Sequence, residues 1–363
     1  MTKFPAVRIA MVLCAAVIVS AFLPDPASAQ GESAVPFLLI APNSRASGIG
    51  ETGTGSVDDV SAVFWNPGAL AFLKGSEISL THANWLPQFG LSDLFYDHLN
   101  YRMRVDEIGG TIGASVTYLS LGEFIITESD GPTEKGRFKS YEYAVTLGYA
   151  TLASDDLGIG MNLRFIHSAL SPIGAGAEQG TGITSTFSVD LAAQWRPAAL
   201  DGKLSVGMNL SNLGPKVTYV DASQADPLPT NLRIGAGYKL IEDEYNQLTY
   251  SLDFSRLLVY RDTTGSDALP KSLFTAWKSG GFKKVIVSTG LEYWYGAPKL
   301  IALRLGYFYE APEYGNRRFL TFGAGIRYDI YGFDFSYISA GSDHPLSDTI
   351  RFSLLIGWGG TGS

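Results

Sequence analysis

The segment IRFSLLIGW, Ile350–Trp358, alternates apolar and polar side chains along its length. One face carries Ile350, Phe352, Leu354, Ile356 and Trp358, and the other carries Arg351, Ser353 and Gly357. Because successive side chains of a β-strand point to opposite faces of a sheet, this spacing predicts a strand with one apolar and one polar face. Residues 300–311 and 317–330 show the same alternation.

Fourteen segments of this kind, each bounded by turn residues, are predicted as strands. They lie near residues 75–87, 94–105, 109–124, 139–153, 157–170, 185–197, 203–213, 230–241, 247–260, 282–296, 300–311, 317–330, 331–342 and 347–358. An even number of strands with alternating faces is typical of a transmembrane barrel.

The connections between these strands alternate between long and short. Long loops are predicted at residues 125–139, 171–185, 214–229 and 261–281, each after an odd-numbered strand, whereas the loops after even-numbered strands are short. Outer-membrane barrels sort their loops in this way, and a Greek-key sandwich has no reason to do so. Since lipid offers no hydrogen-bond partners, a sheet crosses it only as a closed ring. The fold class is therefore predicted as all-β, a 14-stranded antiparallel transmembrane β-barrel.

The N-terminal 29 residues have the features of a secretory signal peptide. Lys3 and Arg8 precede the uncharged run Ile9–Leu23, and small residues follow at Ala27 and Ala29. We expect cleavage before Gln30 and a location in the bacterial outer membrane. The alternative is an uncleaved anchor, but the apolar run is shorter than the roughly 20 residues that a spanning helix needs.

Composition excludes several classes of function. The only cysteine, Cys14, lies in the predicted signal peptide, so the mature chain has no thiol for a disulfide or a metal site. Loss of Lys3, Arg8 and Asp25 changes the formal net charge from −8 to −9, and no positive cluster marks a nucleic-acid partner. His82, His98, His167 and His344 have no metal-ligand spacing. We expect no catalytic, cofactor or metal site and no nucleic-acid partner.

Residues 48–53 match the glycine pattern G-x-G-x-x-G of dinucleotide-binding sites. That fingerprint requires a strand that leads directly into the glycines and a βαβ unit around them. Residues 41–47 intervene here, and no helical pattern follows. Flexible backbone is therefore the favoured interpretation.

Residues 30–74 precede the first predicted strand and are rich in Gly, Ala and Ser. A barrel of fourteen strands has a lumen that must be either filled with water or occupied. We therefore predict that residues 30–74 form an N-terminal plug. Within it, a helical turn is predicted to start near two acids and to stop before a proline, since the residue before proline avoids the α-helical region. The residues concerned are Asp58, Asp59, Phe64, Trp65, Asn66 and Pro67. The alternative is an ordinary surface helix before the first strand.

Ten charged residues fall on the predicted inner faces of the strands: Arg164, Asp190, Arg233, Lys239, Asp253, Glu292, Arg304, Arg327, Asp329 and Arg351. They either line a selective pore or pair with one another and with the plug, as buried charges require. The second interpretation is favoured. In the longest outer loop, Leu273, Phe274 and Trp277 form a candidate partner-contact patch or a cap over the barrel rim.

Several segments resemble the PorV/PorQ family of outer-membrane proteins. They are DDVSAVFWNPGALA, SNLGPKVTY, LPTNLRIGAGYKL, GLEYWYGAPKLIALRLGYFYEAPEYGNRRFLTFGAGIRYDIYGFDFSYI and HPLSDTIRFSLLIGW. The resemblance extends over essentially all of the mature chain and is most specific between Gly290 and Trp358. The wider FadL-like group of fatty-acid channels also carries Asn-Pro after a helix in its N-terminal hatch.

The resemblance implies a FadL-like barrel that serves type IX protein secretion without being an enzyme. The implied partners are outer-membrane lipid, secreted proteins with C-terminal sorting domains, a translocon and a surface sortase. Two alternatives remain open, a channel for hydrophobic small molecules and a purely structural barrel. The expected organisation is a signal peptide at 1–29, the plug at 30–74, the barrel at 75–358 and a tail at 359–363.

Overall fold

The computed structural model describes residues 33–128, 131–172, 181–220, 224–262, 265–341 and 344–359. The predicted signal peptide lies outside the described residues. Within the described ranges, every helix is too short or too polar to span a membrane.

The described chain consists mainly of sixteen strands. They are β1 (Ser76–Asn84), β2 (Leu94–Val105), β3 (Gly110–Glu128), β4 (Gly131–Ser154), β5 (Leu157–Ser171), β6 (Gly182–Trp195), β7 (Leu204–Leu213), β8 (Asn231–Glu242), β9 (Asn246–Leu257), β10 (Arg261–Asp262), β11 (Gly265–Ser266), β12 (Ile286–Tyr295), β13 (Ile301–Tyr309), β14 (Arg318–Tyr328), β15 (Tyr331–Ser339) and β16 (Ile350–Trp358).

Fourteen of these strands close into one barrel, in which neighbours along the chain pair with one another. The short β10 and β11 form a separate ribbon, so β9 pairs with β12, and β1 pairs with β16 to close the ring. All pairs are antiparallel, as in Leu80 opposite Leu354 at the closing seam. The predicted 14-stranded antiparallel barrel is confirmed.

The barrel is apolar outside and polar inside, the reverse of a water-soluble protein. On β13, Leu303 and Leu305 are 58% and 46% exposed, whereas Arg304 between them is 4% exposed. On β16, Arg351 is buried while its neighbour Phe352 is 45% exposed. Such an outer surface matches hydrocarbon, which accepts apolar side chains and excludes unpaired polar groups.

One predicted loop is instead a pair of extended strands. Residues 125–139 were expected as a long loop, but β3 and β4 stay paired from Gly122 with Ser140 out to Glu128 with Gly131. The neighbouring strands end earlier, since β2 stops pairing at Leu121 and β5 at Tyr141. Residues 122–128 and 131–140 therefore form a two-stranded arm beyond the rim, which we call the β3–β4 arm. Its charged, glycine-containing sequence looked like a loop because it lacks the regular alternation of apolar and polar residues seen in the membrane-spanning strands.

The expected inner-face position of Asp329 is also wrong. Asp329 is exposed and has a φ of 53°, because it occupies the tight turn between Tyr328 and Tyr331. A turn of two residues interrupts the strand alternation on which the expectation relied.

Residues 33–75, called here the N-terminal segment, lie inside the barrel. They contain the 3₁₀-helix Pro36–Leu39, the helix Ser44–Gly48, the helix Ala62–Trp65 and the 3₁₀-helix Pro67–Phe72. The helix Ser44–Gly48 packs on β13 to β16, and the 3₁₀-helix Pro67–Phe72 packs on β3 to β7. The segment thus contacts opposite walls of the lumen.

Inward-facing glycines allow the backbone of the segment to approach the wall closely. A Cβ atom at Gly306 would lie 2.0 Å from the amide nitrogen of Gly50, and one at Gly207 would lie 1.9 Å from the carbonyl oxygen of Thr54. At Gly357, also on an inner face, no such atom lies closer than 3.8 Å. The first two positions therefore exclude every side chain, whereas the third does not.

We expect Gly306→Ala to weaken the docking of the N-terminal segment, because its methyl group collides with backbone that cannot rotate away. Overpacking of this kind costs about 1–3 kcal/mol. The expected result is faster trypsin cleavage at Arg45 in the folded barrel and a lower unfolding temperature. Gly357→Ala is the matched control and should behave as wild type. Equal protection of Arg45 in both variants would contradict the close approach.

Candidate functional site

The turn around Asn66 is built much as the sequence suggested. The helix Ala62–Trp65 ends at Asn66, whose φ of −163° and ψ of 92° are extended, and Pro67 begins the next 3₁₀-helix. The two acids lie before this helix and not in its first turn. Asp59 accepts a hydrogen bond from the Ser61 amide at 2.9 Å. Asp58 instead accepts a hydrogen bond from Arg45.

Asn66 fixes this turn to the barrel wall and is fully buried. Its Nδ2 donates to the carbonyl oxygen of Thr54 at 2.8 Å and to Oε1 of Gln194 on β6 at 2.6 Å. Its Oδ1 accepts from the amide of Gly68 at 3.0 Å. One side chain thereby joins two parts of the N-terminal segment to a strand.

Trp65 lies near the middle of the lumen and is 1% exposed. Its Nε1 donates to Oδ1 of Asn43 at 2.8 Å. The guanidinium of Arg233 on β8 lies 4.7 Å from the Trp65 ring and 5.3 Å from the Phe64 ring. Cation-π contacts of this kind are stronger when the charge is shielded from water. The aromatic pair is therefore held by polar and charged groups.

Arg45 is the centre of a buried ion-pair cluster. Its Nε and Nη2 donate to the two carboxylate oxygens of Glu292 on β12, at 2.8 and 2.6 Å. Its Nη1 donates to Asp59 Oδ2 at 2.9 Å and also to Asp58. The bidentate geometry with Glu292 is the strong form of the arginine-carboxylate pair. Arg45 thus links both acids of the segment to the wall.

The cluster continues along the wall from Glu292. Arg304 donates to Glu292 and to Asp334, both at 2.8 Å, and Asp334 also accepts from Arg327 at 2.7 Å. A second buried pair joins Arg164 to Asp190 at 2.7 Å. These contacts favour mutual pairing over a selectivity lining for the inner charges, because a buried charge needs a partner.

The carboxyl group of Asp58 remains ionised well into the acid range. The Asp58 side chain is 38% exposed. Partial desolvation by the surrounding protein favours the neutral form and would raise its pKa, but the Arg45 guanidinium and, at 3.7 Å, the Lys299 ammonium outweigh that effect. The pKa of Asp58 is therefore well below its usual range.

Arg45 was not identified from the sequence. It lies in the stretch PNSRASG, where the small polar residues around it indicate only irregular backbone. The available signal was that Arg45 is the only charged residue between Pro36 and Gly50, in a segment expected to be buried. An isolated charge in such a segment requires an ionic partner.

Cavities remain in the lumen around the N-terminal segment, within the part of the chain that the structure describes. One of about 180 Å³ is lined by Arg45, Asp58, Lys203 and others near the end with short turns. Another of about 90 Å³ lies toward the end with long loops and is lined by Arg233 and Arg317 among others. Trp65 contributes to the walls of both cavities and so lies between them.

The four histidines do not form a common site. His82 on β1 contacts Asp97 at 2.7 Å, and buried His98 on the adjacent β2 contacts Thr117 at 2.9 Å. His167 contacts Ser185, and His344 is in the loop before β16. Among the residues that the structure describes, no group of three or more His, Cys, Asp or Glu is arranged to hold a metal ion.

The outer loop after β11 contains the short helix Ser272–Thr275. Arg256 organises this loop by donating to the carbonyl oxygens of Ala276 at 2.6 Å and Gly281 at 2.5 Å. Its guanidinium also lies 4.6 Å from the Trp277 ring. Leu273 is partly buried, but Phe274 remains 76% exposed. The loop is thus folded against the rim and still presents aromatic surface.

Comparison with known proteins identifies relatives of this chain. Residues 28–264 match the family model described as type IX secretion system protein PorV. The toluene transporter TbuX of Ralstonia pickettii is similar in structure, with a TM-score of 0.52 and 13% identity over 87% of this chain and 97% of that one. The toluene transporter TodX of Pseudomonas putida gives 0.51 and 13% over 86% and 96%.

At 13% identity these two structures show the fold alone. The chain has no match among curated protein sequences. The closed barrel, its apolar outer surface and these relatives together identify an outer-membrane protein.

We expect Arg45→Met to destabilise the barrel by about 3–5 kcal/mol, because it removes the cationic partner of the buried Asp59 carboxylate and leaves Glu292 with Arg304 alone. Chemical unfolding in detergent micelles measures the change. Arg104→Met is the matched control, since its pair with exposed Asp106 lies at the surface and should contribute at most about 1 kcal/mol. Equal losses in the two variants would show that the cluster does not stabilise the fold.

The lowered pKa of Asp58 predicts a pH dependence with a definite sign. A carboxylate with a depressed folded-state pKa contributes stability above its unfolded value of about 3.9, and this stability is lost as the pH falls toward the folded-state pKa. Pepsin digestion should therefore reach the N-terminal segment only below about pH 4. Asp58→Asn should flatten this pH profile, whereas Asp106→Asn should not. Identical profiles for all three proteins would rule out a role for Asp58.

Proposed function

Because this chain belongs to the PorV family of type IX secretion system proteins, we propose that it is a non-catalytic component of that pathway in the outer membrane. Its proposed role is to bind or shuttle cargo proteins with C-terminal sorting domains from a translocon to a surface sortase. The match over residues 28–264 is the observation that carries the proposal.

The filled lumen favours a role in binding cargo over a role in passing cargo through the barrel. The lumenal cavities of about 180 and 90 Å³ are smaller than the roughly 300 Å³ of a small-molecule pocket, and far smaller than a folded cargo. In this proposal the N-terminal segment acts as a permanent plug, and residues 30–74 and 75–358 are the functional division into plug and barrel. Cargo then contacts the barrel from outside, through its long loops.

The β3–β4 arm is the surface we assign to a protein partner. Among the residues that the structure describes, the two strands of the arm form strand pairs only with each other beyond the rim. Their outer edges therefore carry backbone donors and acceptors without a strand partner, although the Glu123 amide donates to Asp93 at 2.9 Å. Phe124 and Ile125 are 48% and 53% exposed, and the Phe124 ring stacks on Phe138 at 5.6 Å. An extended peptide can add to such an edge as a further strand, with apolar side chains providing selectivity.

A channel for hydrophobic small molecules is the alternative function. It requires the segment to move so that an apolar path opens beside Phe64 and Trp65. Arg233, Asn43 and Asn209 surround these rings, and Asn209 Nδ2 donates to the Trp65 carbonyl oxygen at 3.1 Å. This polar packing makes the channel the weaker proposal.

The proposed function predicts a secretion defect that depends on the arm. In a strain that lacks the gene, cargo with sorting domains should accumulate in the periplasm, and the wild-type gene should restore its release. A version in which Asn-Gly replaces residues 124–138 should fold but fail to restore release. The measurements are cargo in the culture medium by immunoblot and heat-modifiable migration of the barrel.

A paired substitution refines this test. Phe124→Ser with Ile125→Ser should reduce cargo release several-fold, whereas Phe89→Ser with Leu91→Ser, at exposed positions in another long loop, should not. Normal secretion in the deletion strain would refute the proposed function. If deletion of the gene blocks secretion but the version with the shortened arm restores it, only the role of the arm would be refuted.

A further inference from the structure

The loop KSLFTAWKSGGFKK, residues 271–284, combines positive charge with exposed aromatic rings. It contains four lysines and no acidic residue, in a chain whose formal net charge is −8. Phe274 and Phe282 are 76% and 84% exposed, and Trp277 is 37% exposed with its ring 5.8 Å from that of Phe282. We call these residues the 271–284 loop.

The 271–284 loop packs on the outer side of the barrel wall. Ser255 and Leu257 on β9 line the lumenal cavity, so Arg256 between them points outward. It lies opposite Leu232 on β8, which is flanked in the same way by the lumen-facing Asn231 and Arg233. Arg256 is nevertheless only 2% exposed, because carbonyl oxygens of the 271–284 loop accept its hydrogen bonds and Trp277 stacks on it.

This position lies next to the surface that faces lipid. The next outward residues along the strands are Phe254 and Ile234, which oppose each other and are each 45% exposed. Two residues along a strand correspond to about 7 Å. The anchor of the 271–284 loop therefore lies about 7 Å beyond the apolar surface of β8 and β9. At this height the hydrocarbon of the membrane meets the lipid headgroups.

Two of the four lysines are the main candidates for ionic contact with a ligand. Lys271 bonds to Asp267 at 2.7 Å, and Lys284 lies 5.3 Å from the ring of Tyr314. Lys278 and Lys283 are exposed, and each adjoins one of the exposed rings in sequence. A pair of ammonium groups beside aromatic rings suits an amphiphile with a negative head.

We propose that the 271–284 loop binds the phosphorylated headgroups of outer-leaflet lipids. Phe274, Trp277 and Phe282 lie in the interface between headgroups and hydrocarbon, and Lys278 and Lys283 pair with lipid phosphates. Aromatic rings favour this interface, and each basic side chain near an anionic surface contributes to binding. The proposal rests on the outer-membrane location and is independent of a role in secretion.

A lipid fits the 271–284 loop better than a protein does because of where the loop is anchored. Its anchor, Arg256, is on the same outward face as Phe254 and Ile234, so the basic and aromatic surface continues the lipid-facing band of β8 and β9. The β3–β4 arm, in contrast, projects from the rim between β2 and β5, on strands that are not adjacent to β8 or β9.

The first test measures binding of a defined lipid to the full-length barrel in detergent. Short-chain phosphatidylglycerol is the anionic probe and short-chain phosphatidylcholine the zwitterionic one, with bound lipid counted by native mass spectrometry. Lys278→Gln with Lys283→Gln should weaken phosphatidylglycerol binding roughly 30-fold, since each lysine near an anionic surface contributes about fivefold. Lys135→Gln with Lys139→Gln, which removes the same charge from the arm, should leave binding unchanged.

The second test locates the loop relative to the bilayer. The only cysteine of the chain is Cys14, so a cysteine introduced in place of Phe282 can be labelled selectively after residues 1–29 are omitted. In bilayers, a fluorophore at position 282 should be quenched more by spin-labelled headgroups than by labels deep in the acyl chains. The same fluorophore on Lys135→Cys should not be quenched by either.

Three results would overturn the proposal. They are equal binding of the two lipids, equal binding by the loop and arm variants, and no quenching at position 282. Crosslinking in cells distinguishes a lipid ligand from a protein partner. A photocrosslinker at Lys278 that captures one protein in place of lipid would make the 271–284 loop a protein interface.

Discussion

The absence of hydrogen-bond partners in lipid is the constraint on which the rest of the molecule depends. It forces the edge strands β1 and β16 to pair, and the closed ring then turns one face of every strand toward hydrocarbon and the other toward the lumen. Polar and charged side chains accumulate on the inner face. Their ionic and hydrogen-bond requirements must be met inside, and the N-terminal segment provides many of the partners.

The contact between the segment and the wall is mainly polar and depends on close backbone approach. Asp253 on β9 accepts the amides of Gly53 and Thr54 at 2.9 and 2.8 Å, and Thr321 accepts the amide of Gly50 at 2.8 Å. Hydrogen bonds to a charged acceptor contribute about 1.5–3 kcal/mol each, and an amide left buried without one costs about as much. Such contacts fix one position of the segment, because a small shift would break several of them together.

The sequence predicted the barrel well because its alternation has a physical cause that acts on every strand. Ile350–Trp358 and residues 317–328 had to place apolar side chains toward lipid, and they could be identified individually. The β3–β4 arm was missed because outside the membrane no such requirement acts. The sequence indicated that the inner charges pair with one another but did not identify the pairs. The ion pair between Glu292 and Arg304 depends on strand register. The link from Glu292 to Arg45 depends on the path of the segment, which alternation does not encode.

The path of the segment through the lumen also limits how the protein can be assembled. Ala34 bonds to the carbonyl oxygen of Pro227 in an outer loop, while β1 begins at Ser76 beside the opposite end of the barrel. The chain therefore passes through the full height of the cylinder before its first strand starts. Since β1 pairs with β16, the ring closes only when the first and last strands of the barrel meet. Assembly must therefore bring some forty residues into the lumen, either as the sheet curls around them or by their entry into the closed ring from the end at which β1 begins.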